Sequence, residues 1–227
     1  MSVQNNLTLI KGVLFDWDHT LYDRRVAIKG WTESFVRTIL PEVSFQSAVE
    51  TLISLDQEGY CSRTEFFLEV KRRFGLSQPL DVLVELFHQQ YASYIDASVA
   101  QQMVIVLREI GIPFGVVTNG SYRQREKIEA TGLVEFTACV VMSGVLKVEK
   151  PDPKIFLTAA ACLGIKPEAT IFVGDHIHND ILGARRVGMQ TAWISYGREW
   201  PRELLCPDIV VSSLHELVSL FSQYRRY

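Results

Sequence analysis

The sequence predicts an α/β fold: a doubly wound parallel sheet, Rossmann-like, with an all-helical segment inserted after the first strand. Three observations carry this. Short, almost wholly apolar runs recur along the chain, as strands buried on both faces require. Segments with apolar residues at helical spacing stand between them, the alternation that builds a parallel sheet. One stretch, residues 24–97, breaks the alternation and holds no convincing strand.

The first run is Gly12-Val13-Leu14-Phe15, and similar runs follow at 114–117, 138–141, 170–173 and 191–194. Residues 99–109 are apolar at helical spacing and stop at Gly111; 124–130 stop near Gly132. Asp152 can cap a helix whose first residue is Pro153 and which Gly164 ends. A further helix is expected over 179–187, before Gly188. In the insert, 27–40 reads as helix up to Pro41, Ser62 and Glu65 form a capping box before 66–74, and 80–95 is amphipathic. Ser213 and Glu216 make another capping box for a last helix.

At 227 residues the chain exceeds the usual domain of roughly 100–150 residues, which fits one domain with an insertion. The expected division is an α/β core of 1–23 and 98–227 and a helical cap of 24–97. Hydrophobic residues at 48% supply a core and exclude disorder as the main state. Lysine and arginine number 23 against 26 acids, so nothing favours a nucleic-acid polymer as partner. No apolar run approaches the roughly 20 residues that span a bilayer. The start, MSVQNNLTLIKGVLF, lacks the pattern of a secretion signal, and a cytoplasmic location is expected. Cys61, Cys139, Cys162 and Cys206 form no CxxC pair and read as reduced core thiols. Asn6-Leu7-Thr8 and Asn119-Gly120-Ser121 match the glycosylation pattern by chance. No obligate protein partner is implied.

Four pieces carry chemistry. The first strand runs into Asp16-Trp17-Asp18-His19-Thr20, where alternation puts Asp16, Asp18 and Thr20 on one face. This is the carboxyl end of a parallel strand, where open α/β sheets bind ligands. Two close carboxylates repel, and a hard cation relieves them. The second strand ends in Thr118-Asn119-Gly120-Ser121, polar groups at a strand-to-helix junction that suit an anion or a simple cap. Lys150 stands just before a helix start, where the dipole disfavours a cation, so an anion nearby is indicated. The fourth strand ends in Gly174-Asp175-His176-Ile177-His178-Asn179-Asp180, adding two carboxylates. His176 and His178 lack a third nitrogen or sulfur ligand and do not read as a transition-metal site.

Taken in order, these pieces resemble the haloacid dehalogenase superfamily, whose signature is DxDxT, then Thr or Ser, then Lys, then GDxxxxD. The matches are Asp16/Asp18/Thr20, Thr118, Lys150 and Gly174/Asp175/Asp180, and the resemblance covers roughly residues 8–220. It implies that 24–97 is the helical cap of the first-insertion class, and that the first strand lies between the second and the fourth. By the same resemblance, Asp16 is a nucleophile toward phosphorus and Asp18 the general acid and base. Mg²⁺ is implied, held by the Asp16 carboxylate, the Asp18 backbone carbonyl and the Asp175 carboxylate. Asp180 would orient a metal-bound water or Lys150. Lys150, Thr118 and Asn119 would bind phosphoryl oxygens. His19 stands where the family most often has Gly, and His176 where Ser or Thr is common.

The second Asp of DxDxT points to a phosphatase or phosphomutase and away from the dehalogenases proper. A catalytically silent protein on the same fold is the alternative of another class. Arg24 and Arg25, at the cap hinge, are candidate specificity residues. The stretches KPDPKIF and SSLHEL are similar to the nucleotidase and sugar-phosphatase branch, implying a nucleoside monophosphate or sugar phosphate as substrate.

Overall fold

The computed structural model describes residues 9–223. The first glycosylation match, Asn6-Leu7-Thr8, therefore lies outside the described residues. Six parallel strands form one sheet: β1 (Gly12–Phe15), β2 (Phe114–Thr118), β3 (Cys139–Met142), β4 (Thr170–Gly174), β5 (Gln190–Ile194) and β6 (Ile209–Val211). Their order is β3-β2-β1-β4-β5-β6, so β1 sits between β2 and β4 as expected. In this doubly wound order the chain turns opposite ways from β1, leaving a crevice beyond the carboxyl ends of β1 and β4.

β1, β2 and β4 are buried at every position, which is why they read as unbroken apolar runs rather than alternating ones. Phe156, Phe172, Ile155 and Leu14 are among the residues of the core cluster under the sheet. β6 had no counterpart in the sequence reading. It has three residues and lies at the sheet edge, with Val210 half-exposed, so neither length nor an apolar run marks it.

Contacts divide the molecule into two compact units. One is Asp23–Asp96, and the other comprises the remaining described residues. The first contains helices α1 (Arg24–Ile39), α2 (Phe45–Asp56), α3 (Arg63–Phe74) and α4 (Leu80–Tyr91). Trp31 is fully buried and touches the rings of Phe35, Phe66, Phe67 and Phe87, binding α1, α3 and α4 into one core. α3 begins with the capping box expected at Ser62 and Glu65 and ends at Gly75 in the left-handed conformation. α2 was not anticipated. Its N-cap Ser44 makes no side-chain hydrogen bond and its end is the left-handed Gln57, so the usual punctuation is missing. α4 stops at Tyr91 and continues only as a tight turn, Ala92–Tyr94.

The sheet unit holds α5 (Ser98–Glu109), α6 (Arg123–Ala130), α7 (Pro153–Leu163) and α8 (Leu214–Ser222). α7 starts as foreseen, with Asp152 accepting from the Lys154 amide and Pro153 in the first turn, and Gly164 ends it. The helix expected over 179–187 forms two residues earlier, first as a widened π-helix, Ile177–Leu182, and then as a short α-helical stretch, Gly183–Arg185. Here the amides of Asp180 and Ile181 both reach the His176 carbonyl, and the widening reshapes the loop that carries Asp180. The cysteines are all free, but only Cys139 is buried; Cys162 and Cys206 are exposed and Cys61 is intermediate, correcting the core-thiol reading. Among the described residues no helix is long and apolar enough to cross a membrane.

Candidate active site

The crevice at the carboxyl ends of β1, β2 and β4 gathers the motif residues. Phe15 pairs with Val173, and the Asp16 amide bonds the Val173 carbonyl at 2.9 Å, so Asp16 starts level with the end of β4. After Asp16 the chain does not stay extended. The amides of Thr20 and Leu21 both bond the Trp17 carbonyl, making a tight turn. Thr20 nevertheless returns its hydroxyl to Asp16 Oδ2 at 3.2 Å. His19 occupies the left-handed region at φ 62°, which a glycine adopts freely and which accounts physically for a glycine at such a position.

Lys150 is the centre of the charge arrangement. Its Nζ lies 2.5 Å from Asp16 Oδ1 and 2.8 Å from Asp180 Oδ1, and all three groups are buried. Asn119 was expected to help bind phosphoryl oxygens. Its side chain is used otherwise: Nδ2 donates to the Lys150 carbonyl at 3.0 Å, and Oδ1 accepts from the Lys150 amide at 2.8 Å. Both ends of its amide thus fix the Lys150 backbone. Thr118 is buried at the end of β2.

Asp180 Oδ2 accepts from the His176 amide at 3.0 Å, folding the carboxylate back over the end of β4. Gly174 makes this possible. A Cβ there would lie 2.4 Å from Asp180 Oδ2 and 2.5 Å from its Cβ and Cγ, closer than atoms can approach. Asp175 accepts from Arg198 Nη2 at 3.2 Å, while its backbone carbonyl takes bonds from the same nitrogen at 2.8 Å and from Trp193 Nε1 at 2.9 Å. His176 Nδ1 accepts from the Asn179 amide at 3.1 Å and caps the turn.

The environment drives these carboxyls upward. For Asp16, burial is the strongest influence; Lys150 pulls the other way, Asp180 and Asp18 push with burial, and the result is about 7. For Asp175, burial is again first, then the charges of Asp180 and Asp16, with Arg198 opposing, and the result is about 8. Burial alone would lower Lys150, but Asp16 and Asp180 hold it above the ordinary lysine value. His176 is lowered, chiefly by burial.

Asp16, Asp175 and Asp180 each present an oxygen, and these oxygens lie within 4.8 Å of one another. A set of crowded carboxylates whose ionisation is disfavoured fits a hard divalent cation such as Mg²⁺. The three-carboxylate set includes Asp180; Asp18 is not in it, which is compatible with the carbonyl role inferred from the resemblance. Arg24 and Arg25 belong to the helical unit and are both engaged there. Arg24 is buried and forks onto Asp56 at 2.5 and 2.8 Å, and Arg25 grips Asp23, the N-cap of α1, at 2.8 and 3.0 Å. In the structure the Arg24 guanidinium is engaged by Asp56 and the Arg25 guanidinium by Asp23.

Several site residues were not foreseen. Gln124 and Tyr22 bond Asp18, Arg198 and Trp193 hold Asp175, and the Tyr196 hydroxyl donates to the His19 carbonyl at 2.9 Å. Tyr22 continues the 16-18-20 alternation by one step, a usable signal; the others come from distant segments and leave none.

Comparison with known proteins agrees with this geometry. Residues 13–194 match the haloacid dehalogenase-like hydrolase model. The chain belongs to that family, in its phosphatase branch. A glyceraldehyde 3-phosphate phosphatase of Pyrococcus furiosus is 33% identical, covering 94% of both chains. A pyrimidine 5'-nucleotidase of Escherichia coli is 38% identical over 48% of this chain and 50% of its own. The crystal structure of a phosphatase of the same family from Thermococcus onnurineus superposes with a TM-score of 0.67 at 26% identity, covering 96% of this chain and 100% of that one.

Proposed function

We propose that the protein hydrolyses a small phosphate monoester, of the sugar-phosphate or nucleoside-monophosphate type, through a phosphorylated Asp16. The observation that carries this reading is the buried Asp16 carboxylate bonded to Lys150 among three acids at the strand ends. A buried lysine between carboxylates is suited to receive phosphoryl oxygens, and phosphoryl transfer depends on positioning and charge neutralisation above all. The similarity to a glyceraldehyde 3-phosphate phosphatase across nearly the whole chain supports the short sugar phosphate as the first substrate to try.

In the first step an Asp16 oxygen attacks phosphorus, the bond to the leaving oxygen breaks, and Asp18 gives that oxygen its proton. In the second, Asp18 takes a proton from water, the water oxygen attacks phosphorus, and the bond to Asp16 breaks. Lys150 and the Thr118 hydroxyl would hold phosphoryl oxygens, while Asn119 and Asp180 keep Lys150 in place. Asp16, Asp175 and the Asp18 carbonyl would hold Mg²⁺, with Asp180 beside them, and the bound ion supplies positive charge that lets a carboxylate meet an anionic phosphoryl group. The helical unit is proposed as the cap that shields the phospho-enzyme from bulk water.

The test is phosphate release from a panel of phosphorylated metabolites with Mg²⁺, followed by acid quench and peptide mapping. Turnover of at least one sugar or nucleoside phosphate, with phosphate found on Asp16, is expected. No release from any of them, or full turnover in excess chelator, would sink the reading.

A further inference from the structure

We infer that Gln124 and Tyr22 are positioning residues that aim the Asp18 carboxyl, an inference that rests on the phosphatase reading above. Asp18 stands outside the cluster of carboxylates that surrounds Lys150. A general acid and base must nonetheless point at the reacting oxygen, and an aspartate has two soft torsions with which to miss it. Two donors remove that freedom. Gln124 Nε2 donates to Asp18 Oδ2 at 2.5 Å, and the Tyr22 hydroxyl donates to Oδ1.

The Gln124 contact has the marks of a built arrangement. Gln124 is the second residue of α6, buried, and its side chain runs back toward the end of β2. Its path crosses Gly120, where a Cβ would lie 2.4 Å from Gln124 Cγ and 3.1 Å from Nε2, so the absence of a side chain at 120 opens the way. The same Nε2 lies 3.3 Å from the Thr118 hydroxyl, so one amide ties the proposed proton carrier to the proposed phosphoryl-binding threonine. Oε1 is buried without a hydrogen-bond partner. Turning the amide over would satisfy nothing more and would set an oxygen against the Asp18 carboxylate, so the donating orientation is fixed by its surroundings. Tyr22 comes from the same turn that carries Asp18, and its ring packs on Trp17 with centroids 5.3 Å apart, which fixes the hydroxyl.

The test uses Gln124→Met, close in size but without a donor, and Tyr22→Phe, each alone and combined with Asp18→Asn. A misaimed catalytic group costs about 10- to 100-fold, so kcat on an alkyl phosphate should fall by that factor in each single variant while KM stays within about threefold. Formation of the phospho-enzyme from nitrophenyl phosphate, whose leaving group needs no proton, should fall much less. In the Asp18→Asn background neither change should lower kcat further, because the group being aimed is gone. Equal losses in the two backgrounds, or unaltered kcat in both single variants of an active parent, overturn the inference while leaving the phosphatase reading intact. A parent inert on every phosphate ester overturns that reading instead. Crystal structures of the parent and Gln124→Met then decide the positioning claim alone: a shifted Asp18 carboxyl supports it and an unmoved one refutes it. Tyr22→Phe serves the same purpose if Gln124→Met does not fold.

Discussion

Two aspartates, one in each unit, are buried beside cations and are driven in opposite directions. In the helical unit, burial pushes the Asp56 carboxyl up, but the hydrogen bonds and charge of Arg24, joined by Arg63, outweigh it and hold it below its ordinary value. Two guanidiniums, at 2.5 and 2.7 Å, face one carboxylate. In the sheet unit Asp16 also has a cation at 2.5 Å, yet it is raised to about 7, because Lys150 is shared with Asp180 and burial dominates. The first cluster has two cations for one carboxylate and serves structure. The second is short of positive charge, and that shortage is what a cation and a reaction can use. Ion-pair distance alone does not separate the two cases; the balance of charges does.

The largest expected effect strikes the unbalanced cluster. Asp16→Asn should abolish turnover and leave no covalent phosphate after acid quench, with the fold retained by circular dichroism. Asp18→Asn should come next. General acid–base help is worth about 10²–10⁴-fold, so alkyl phosphates should lose that much, while nitrophenyl phosphate should still phosphorylate Asp16 and then stall. Phosphate trapped on any other residue would break the assignment of roles.

The cation-rich cluster should respond in stability instead. Asp56→Ala strands the buried Arg24 guanidinium and the partly buried Arg63, and breaking a buried pair costs about 3–5 kcal/mol, readable as a lowered urea midpoint. Unchanged stability would mean that the cluster is not structural after all.

The two also differ in their pH dependence. Asp56 is held below 3.8, so its contribution is complete above that value and is lost as pH falls through the lower folded value. Asp16 and Asp175 are raised from 3.8 to about 7 and 8, so without metal they weaken the fold as pH rises between those values. Mg²⁺ should therefore raise the melting temperature more at pH 8 than at pH 5, and its binding near neutrality should release protons, measurable by calorimetry in buffers of different ionisation enthalpy. The smallest effect belongs to Arg25→Ala. Its pair with Asp23 is exposed, such pairs are worth about 0.2–1 kcal/mol, and neither stability nor substrate preference should move appreciably.

The sequence made legible what local pattern dictates. Buried strands announce β1, β2 and β4 as apolar runs, and Asp16, Thr118, Lys150 and Asp175 follow strand ends or open a helix, so a motif and its place in the fold arrive together. What stayed hidden depends on approach in space. Asp18 and Gln124 are separated by 106 residues, and nothing near Gln124 marks it as more than an early helical residue. Arg198 and Tyr196 follow β5 and look like surface loop. The sequence position of Arg24 at a unit boundary says nothing of Asp56, its partner 32 residues on, whose place depends on how α2, itself unforeseen, returns to α1.

Gly174 carries no side chain, and it is this absence that lets Asp180 lie over the end of β4. Even the single carbon of an alanine would evict that carboxylate from Lys150 and disturb the neighbouring acids at once. In a saturation-mutagenesis map, position 174 should therefore be as intolerant as the acids themselves.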